Sequence, residues 1–443
     1  MIYRIATGLA GPALRAAVPL AGALLRERLA LDVAAQPGGA IWVHAASVGE
    51  LNSARAIIAA LAAHHPVVVT TNSTTGRAVA RDWGLQAQLA PLDVPGAVRR
   101  FLDAVRPALM VTVENEIWPN RAAEARRRAI PQAVIGARMS ERSARGWGRA
   151  RGLIGPVLAG LDLLSAQDAG TETRLRALGL PQAALAGRLN LKLLGPAAIR
   201  PGPESAARDL VWLAASTHPG EEQVVLAAHA ALAARIPGLR LILAPRHPRR
   251  AAEVAALAVA AGFAPEPLGA REVAAAGAPP LLLIDRLGAL NGAYAAAGVC
   301  LTAGSLADHG GHTPWEPAAH RCALLHGPHV GNFRADYALL DAEGAARLVT
   351  PATLAERLGA ILADPGRRRA MGQAARRALD AAAPDPAPLV ARLLALAARA
   401  RGDAGAAPAR SGARSGLPPP PDPNKLARRG RNSDIHGPAG DQE

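Results

Sequence analysis

The sequence has 443 residues, a formal net charge of +15 and only 3% aromatic residues. That length admits two domains of ordinary size plus extras. The scarcity of aromatics argues against a stacking platform for single-stranded nucleic acid. Two cysteines, Cys300 and Cys322, both in apolar runs, argue against a disulfide-built scaffold and fit a reducing compartment. The basic charge is almost all arginine, since lysine occurs only at 192 and 425. Charge of this sign favours anionic lipid or a phosphorylated substrate, although GC-rich codon usage would also raise arginine content. No His or Cys spacing reads as a metal site.

Residues 2–25 are apolar but interrupted by Pro12, Arg15 and Pro19. No run reaches the roughly 20 apolar residues that a spanning helix needs. With Arg4 and Arg15 within it and Arg26 and Arg28 after it, the stretch 1–28 reads as a membrane-associated helix at the interface, or as a helix packed on the first domain. Residues 40–45 read as a strand, 46–50 as a small-residue turn and 51–63 as a helix. That succession opens a doubly wound domain. Glu50 falls just beyond the strand's carboxyl end, where open α/β sheets take ligands. An acid there also suits the helix dipole, so both readings stand.

Further strands are expected at 66–71, 108–113, 131–136, 161–166 and 184–186. The one at 108–113 delivers Glu114, Glu116 and Trp118 to the same edge, where buried acids are costly unless paired or used. The Pro/Gly-rich stretch 196–203 reads as a linker. The pattern then restarts, with strands at 210–215, 239–244, 281–284, 298–303, 322–325 and 345–349 and helices at 354–362, 367–382 and 388–401. The glycine-rich loop from Gly304 to Pro317 follows a buried strand. Its backbone N–H groups are placed to approach an anion, with Glu316 in the first turn of the next helix. A tight glycine turn with a capping acid fits the same residues. The resulting division is 1–28, 29–195, 196–401, and a basic Pro/Gly-rich tail at 402–443 expected to be disordered.

Particular strings go further than spacing. His44-Ala45-Ala46-Ser47-Val48-Gly49-Glu50, Glu114-Asn115-Glu116-Ile117-Trp118-Pro119-Asn120 and Ala137-Arg138-Met139-Ser140-Glu141-Arg142-Ser143 resemble the bacterial 3-deoxy-D-manno-octulosonic acid (Kdo) transferases. So do Ala215-Ser216-Thr217-His218, Pro245-Arg246-His247-Pro248, Gly310-Gly311-His312-Thr313-Pro314-Trp315-Glu316-Pro317 and Gly327-Pro328-His329. The resemblance implies a GT-B fold, with two doubly wound Rossmann-like domains facing across a cleft: acceptor-binding first, CMP-Kdo-binding second. It implies an inverting transfer of Kdo from CMP-Kdo to a lipid A precursor, lipid IVA, in lipopolysaccharide synthesis. The expected location is the cytoplasmic face of the inner membrane. CMP-Kdo is the donor substrate; no cofactor, metal or nucleic-acid partner is implied.

The resemblance also assigns roles. Glu50 matches the general base, Glu114 an acid supporting the transition state, and Lys192, in Asn190-Leu191-Lys192, a counter-charge at the reacting centre. Arg246, His247, Leu287, Gly288, Ala289, Ser305, Thr313, Pro314, Trp315 and Glu316 match the CMP-Kdo site, with backbone N–H groups after Ser305 helping Arg246 to neutralise phosphate. Three departures stand out. Ala289 replaces a carboxylate, Thr313-Pro314-Trp315-Glu316 replaces Asn-Pro-Leu-Glu, and Ala303-Gly304-Ser305 replaces Gly-Gly-Ser. The alternatives are another GT-B transferase or epimerase using a UDP-sugar, and a catalytically weak lipid-binding protein.

Overall fold

The computed structural model describes residues 2–114, 116–267, 280–286 and 288–402. The expected tail beyond 402 and the site residue Leu287 lie outside the described residues. The chain divides into two compact units. Among the described residues, the first comprises 2–195 and 384–402 and the second 196–383.

The first unit is built on β1 (Ile41–His44), β2 (Val67–Thr71), β3 (Gln86–Leu89), β4 (Leu109–Val113), β5 (Gln132–Ala137) and β6 (Leu163–Ala166). Their order in the sheet is β3-β2-β1-β4-β5-β6, with every pair parallel. Parallel strands need crossovers that cover both faces of the sheet, so the strands are apolar throughout instead of alternating. Ile41 and Val43 enter one core with Ile57, Ile58 and Leu61. Trp42, between them, enters the opposite core against Phe101, at 4.5 Å between ring centres.

The second unit repeats the plan with β7 (Val211–Thr217), β8 (Arg240–Pro245), β9 (Glu266–Pro267), β10 (Leu281–Leu283), β11 (Val299–Thr302), β12 (Ala323–His326) and β13 (Ala346–Leu348). The order is β13-β12-β11-β7-β8-β10-β9, again all parallel. At the amino-terminal end of this sheet, buried Arg368 bonds Asp209 and Glu204, each at 2.7 Å, which offsets the cost of its desolvation.

Several expectations need correction. Residues 184–186 form no strand: a 3₁₀ turn, Gln182–Ala184, precedes an isolated bridge between Leu185 and Leu164. The expected linker at 196–203 begins inside a helix, Leu191–Ala198, because Pro196 falls within it. β3 has no apolar run to mark it, because Gln86-Ala87-Gln88-Leu89 is a short edge strand with polar residues at alternate positions. The second domain does not extend to 401. The chain returns to the first unit at Pro384, where Leu389, Leu393 and Ala397 of the helix Ala387–Gly402 complete the core around Ile41.

The N-terminal stretch forms two helices, Ile2–Ala16 and Val18–Arg28, the second interrupted at Gly22 (φ 73°). No helix among the described residues is long and apolar enough to cross a membrane. The stretch is instead attached to the first unit. Tyr3 donates to Asp93 at 2.9 Å, and Asn120 donates to Thr7 at 2.9 Å. Leu14 and Leu25 pack against Val94 and Ala97. Leu9 and Leu24 remain exposed.

Leu393→Ala should remove core contacts and cost about 2–5 kcal/mol in the unfolding of the first unit, read by urea titration. An unchanged curve would mean that the returning helix is no part of that core.

Candidate functional site

The carboxyl edge of β1 carries the first group. Ser47 caps the helix Val48–Ser53, its Oγ accepting from the Glu50 N–H at 3.2 Å. Glu50 sits at the third helical position, the place where a capping-box acid folds back on the turn. Its Oε2 accepts from the Ala46 N–H at 2.7 Å, and Ser47 Oγ lies 3.4 Å from Oε1. One good hydrogen bond does not compensate the loss of solvent. Burial, reinforced by the charges of Glu114 and Glu116, raises the Glu50 carboxyl to about 7.

Glu114 directly follows β4 in the left-handed region (φ 57°), a conformation that costs a non-glycine residue about 1–3 kcal/mol. Glu116 is the hub beside it. Its Oε2 accepts from Trp118 Nε1 at 2.5 Å and Asn72 Nδ2 at 3.4 Å, with His44 Nε2 at 3.5 Å. Trp42 Nε1 donates to Thr70 Oγ1 at 2.8 Å, and Thr70 lies 2.9 Å from His44 Nδ1. The order of donors places the His44 proton on Nε2, towards Glu116. Burial drives His44 down to about 4, while His44 and the Trp118 indole hold Glu116 near 2. Two neighbouring acids are thus set about five units apart, with Glu50 proton-accepting near neutrality and Glu116 permanently charged.

The helix Pro119–Arg127 is anchored by Asp93, whose carboxylate accepts the N–H groups of Asn120 and Arg121 at 3.0 and 2.8 Å. Arg121 is buried between the Trp42 and Trp118 rings, and its desolvation lowers it to about 10. A cavity of roughly 490 Å³, counting its open mouth, is lined by Glu114, Glu116, Trp118 and Arg121 with apolar residues of β4–β6. Asp93, His44 and Arg121 were not singled out from sequence. Pairing across β1, β2 and the helix at 119 is what brings them in. Lys192 is exposed at the start of Leu191–Ala198. The segment before it crosses β5 at Gly136 (φ 61°), where an added Cβ would lie 2.5 Å from Leu191. Lys192 therefore belongs to this edge.

In the second unit the expected anion cradle is already filled. Glu221, buried in the first turn of the helix Glu221–Ala233, accepts from the N–H groups of His218 (2.9 Å), Gly304 (2.7 Å), Ser305 (3.0 Å), Leu306 (2.9 Å) and Ala307 (3.4 Å). The backbone donors after Ser305 are thus tied to an internal carboxylate, and the expectation that they neutralise phosphate is corrected. Ser305 is corrected likewise: its buried Oγ donates to Thr302 O at 2.6 Å and accepts from the Gly327 N–H at 2.8 Å. Gly327 is required there, since a Cβ would lie 2.0 Å from Ser305 O. Trp315 is buried with Nε1 donating to Asp336 at 3.1 Å, so it packs the fold, as does buried Pro314.

Thr313 accepts from the Trp315 N–H at 3.4 Å, and Glu316 is exposed in the first turn of Trp315–Ala319. Arg246 and His247 are exposed just after β8, with the Arg246 N–H bonded to Thr217 O at 2.9 Å. Gly288 has φ 84°, and Ala289 precedes the helix Leu290–Ala296 with no side-chain cap. Among the described residues no group of three or more His, Cys, Asp or Glu is arranged to hold a metal.

Glu221→Ala would leave several buried N–H groups without an acceptor. Differential scanning fluorimetry should show a loss of at least about 3 kcal/mol, and a neutral effect would show that the loop closes without the carboxylate.

Comparison with known proteins bears on what this edge chemistry serves. Residues 23–194 match the family described as 3-deoxy-D-manno-octulosonic-acid transferase (kdotransferase). The 3-deoxy-D-manno-octulosonic acid transferase of Bordetella pertussis is 37% identical over 76% of this chain and 82% of its own length. That of Haemophilus influenzae is 32% identical over the same shares. In fold, the chain is similar to the UDP-GlcNAc 2-epimerase of Neisseria meningitidis, solved with UDP-GlcNAc, at a TM-score of 0.52 and 11% identity over 80% of this chain and 99% of that one. With close to a third or more of its residues shared over most of its relatives' length, the chain belongs to the Kdo transferase family.

Proposed function

We propose that the chain moves Kdo from CMP-Kdo onto a lipid A precursor, lipid IVA, with inversion at the anomeric carbon. The observation that carries the reading is Glu50, a half-buried carboxylate at the carboxyl end of β1, raised to about 7 and held by one strong backbone hydrogen bond. A base with that affinity takes a sugar hydroxyl's proton near neutral pH and keeps the geometry to do so. As the acceptor oxygen attacks the anomeric carbon, its proton passes to Glu50. The bond from that carbon to the phosphate oxygen breaks, and CMP departs with the electron pair.

Glu114 and Lys192 share the edge with Glu50 and act on the charge that develops there. Arg246 and His247, exposed after β8, meet the donor's phosphate, with Thr313 and Glu316 beside the loop that follows β11. Ala289 leaves its contact to the backbone. The acceptor is a phosphorylated lipid, and the N-terminal helices suit it. Leu9 and Leu24 are exposed on an element that also carries Arg15, Arg26 and Arg28, so we place the protein on the cytoplasmic face of the inner membrane, held at the interface.

The test is transfer from freshly made CMP-Kdo to lipid IVA, read by mass spectrometry beside UDP-sugar controls. Glu50→Gln should lower kcat about 100- to 10,000-fold. At saturating donor, kcat for the parent protein should rise about tenfold from pH 6 to pH 8 as Glu50 ionises. A flat profile would remove Glu50 from the role of base. Because ionised Glu50 is poorly solvated, its stability contribution falls as pH rises from its unfolded value through about 7. Glu50→Gln should accordingly melt no lower than the parent at pH 8.

Replacing Leu9 and Leu24 by Asp should weaken co-sedimentation with phosphatidylglycerol vesicles about tenfold or more. Unchanged sedimentation would assign membrane contact to another surface.

A further inference from the structure

Three histidines come together at the carboxyl end of β7 and the loop after β11. His218 Nε2 lies 3.0 Å from His312 Nε2, with the two rings nearly coplanar at 13°. The His309 ring stacks on His218 with centres 4.1 Å apart. The loop fixes the arrangement: an added Cβ at Gly304 (φ 68°) would lie 2.9 Å from the His312 ring. Glu221 holds His218 and Gly304 from the other side through their N–H groups. Tyr337 Oη lies 2.8 Å from the His312 carbonyl. This is a rigid cluster, and the fold does not need it for core packing, since all three rings reach solvent in part.

Two nitrogens at that separation hold one proton between them: one imidazole donates and the other accepts. Burial keeps both below the ordinary histidine range, His312 at about 4, and the imidazoles depress one another further. The charged and titratable groups around the pair are Arg246 and His247 after β8, Glu221, His309, and the His329–Asp308 pair at 3.7 Å. Of these only the carboxylates favour a second proton. Glu221 already accepts from five N–H groups, and Asp308 faces His329.

We infer that His218 and His312, with His309 stacked on His218, form the receptor for an anionic oxygen of the donor and take up one proton from solvent as it binds. The inference rests on the proposal that the second unit holds a CMP-activated sugar acid. The N–H groups of residues 304–307 are occupied by Glu221, so the side-chain donors beside them are what this end of the loop offers an anion. An arriving oxyanion accepts from one imidazole. The pair's own hydrogen bond then breaks, and the nitrogen left without a partner gains a proton beside a negative charge. Phosphate and sugar carboxylate are the two oxyanions such a donor carries, and both stay ionised between pH 6 and 8, so the proton belongs to the protein.

The experiment is calorimetric titration of the full chain at pH 7.5 in buffers of different ionisation enthalpy. One arm uses cytidine 5′-(methyl phosphate), a diester without a titrating phosphate oxygen, and the other uses fresh CMP-Kdo without acceptor. Uptake approaching one proton per site is expected, with affinity falling about tenfold per pH unit as pH rises. His218→Gln and His312→Gln should each abolish the uptake while retaining weakened binding. Uptake with the methyl ester assigns the receptor to phosphate, and uptake with CMP-Kdo alone assigns it to the carboxylate. Binding without uptake in both arms overturns the inference and leaves the donor proposal standing. So does uptake that persists in both variants. Binding of neither ligand overturns the donor proposal itself.

Discussion

Parallel pairing is the constraint on which the rest depends. Every strand pair described in either sheet is parallel, so the chain must cross over and return before each new strand. All the connections that leave strands therefore gather at one edge of each sheet. Glu50, Glu114 and Lys192 share such an edge without being close in sequence, as do His218, Arg246 and the loop from Gly304. The opposite edges are free for structural work, shown by the buried Arg368–Asp209 and Arg368–Glu204 pairs.

The two units place the same local device after their first strands and draw different chemistry from it. In each, an acid three residues beyond the turn folds back to accept a backbone N–H: Ala46 to Glu50 and His218 to Glu221. Glu50 receives one such bond of good length and sits half-buried. It is raised towards neutrality and is able to move a proton. Glu221 is fully buried and receives four more N–H groups from the loop after β11. Five donors satisfy a carboxylate as a bound phosphate would, and they convert an anion cradle into a fixed platform for the histidines. The two carboxylates differ in the number of N–H groups that reach them and in their exposure to solvent.

Much of the plan was readable from apolar runs. β1, β2, β4 and β11 stand within a residue of where their hydrophobic strings place them, since strands covered on both faces need continuous apolar sequence. Glu50 at a helix start and Glu114 at a strand end were likewise legible. Ser305 and Trp315 were misplaced because a string shows that a residue lies in a loop, not which way its side chain turns. Ser305 turned inward to tie Gly327, and Trp315 to reach Asp336. The return of residues 387–402 to the first unit was unreadable for a related reason: an amphipathic helix declares that it has a partner but does not identify it.

The parallel α/β class, the strand ends that bear acids and bases, and the strings shared with Kdo transferases are all legible in the order of residues. Those are local properties, carried by periodicity and by residues a few positions apart. The surroundings of each carboxylate come from the assembled sheets. Tertiary folding sets His44 against Glu116 from 72 residues away and Glu221 against a loop more than 80 residues distant. Proton affinity follows from burial and from the count of donors within hydrogen-bond reach. Both are set by chain segments that meet only when the sheet is assembled.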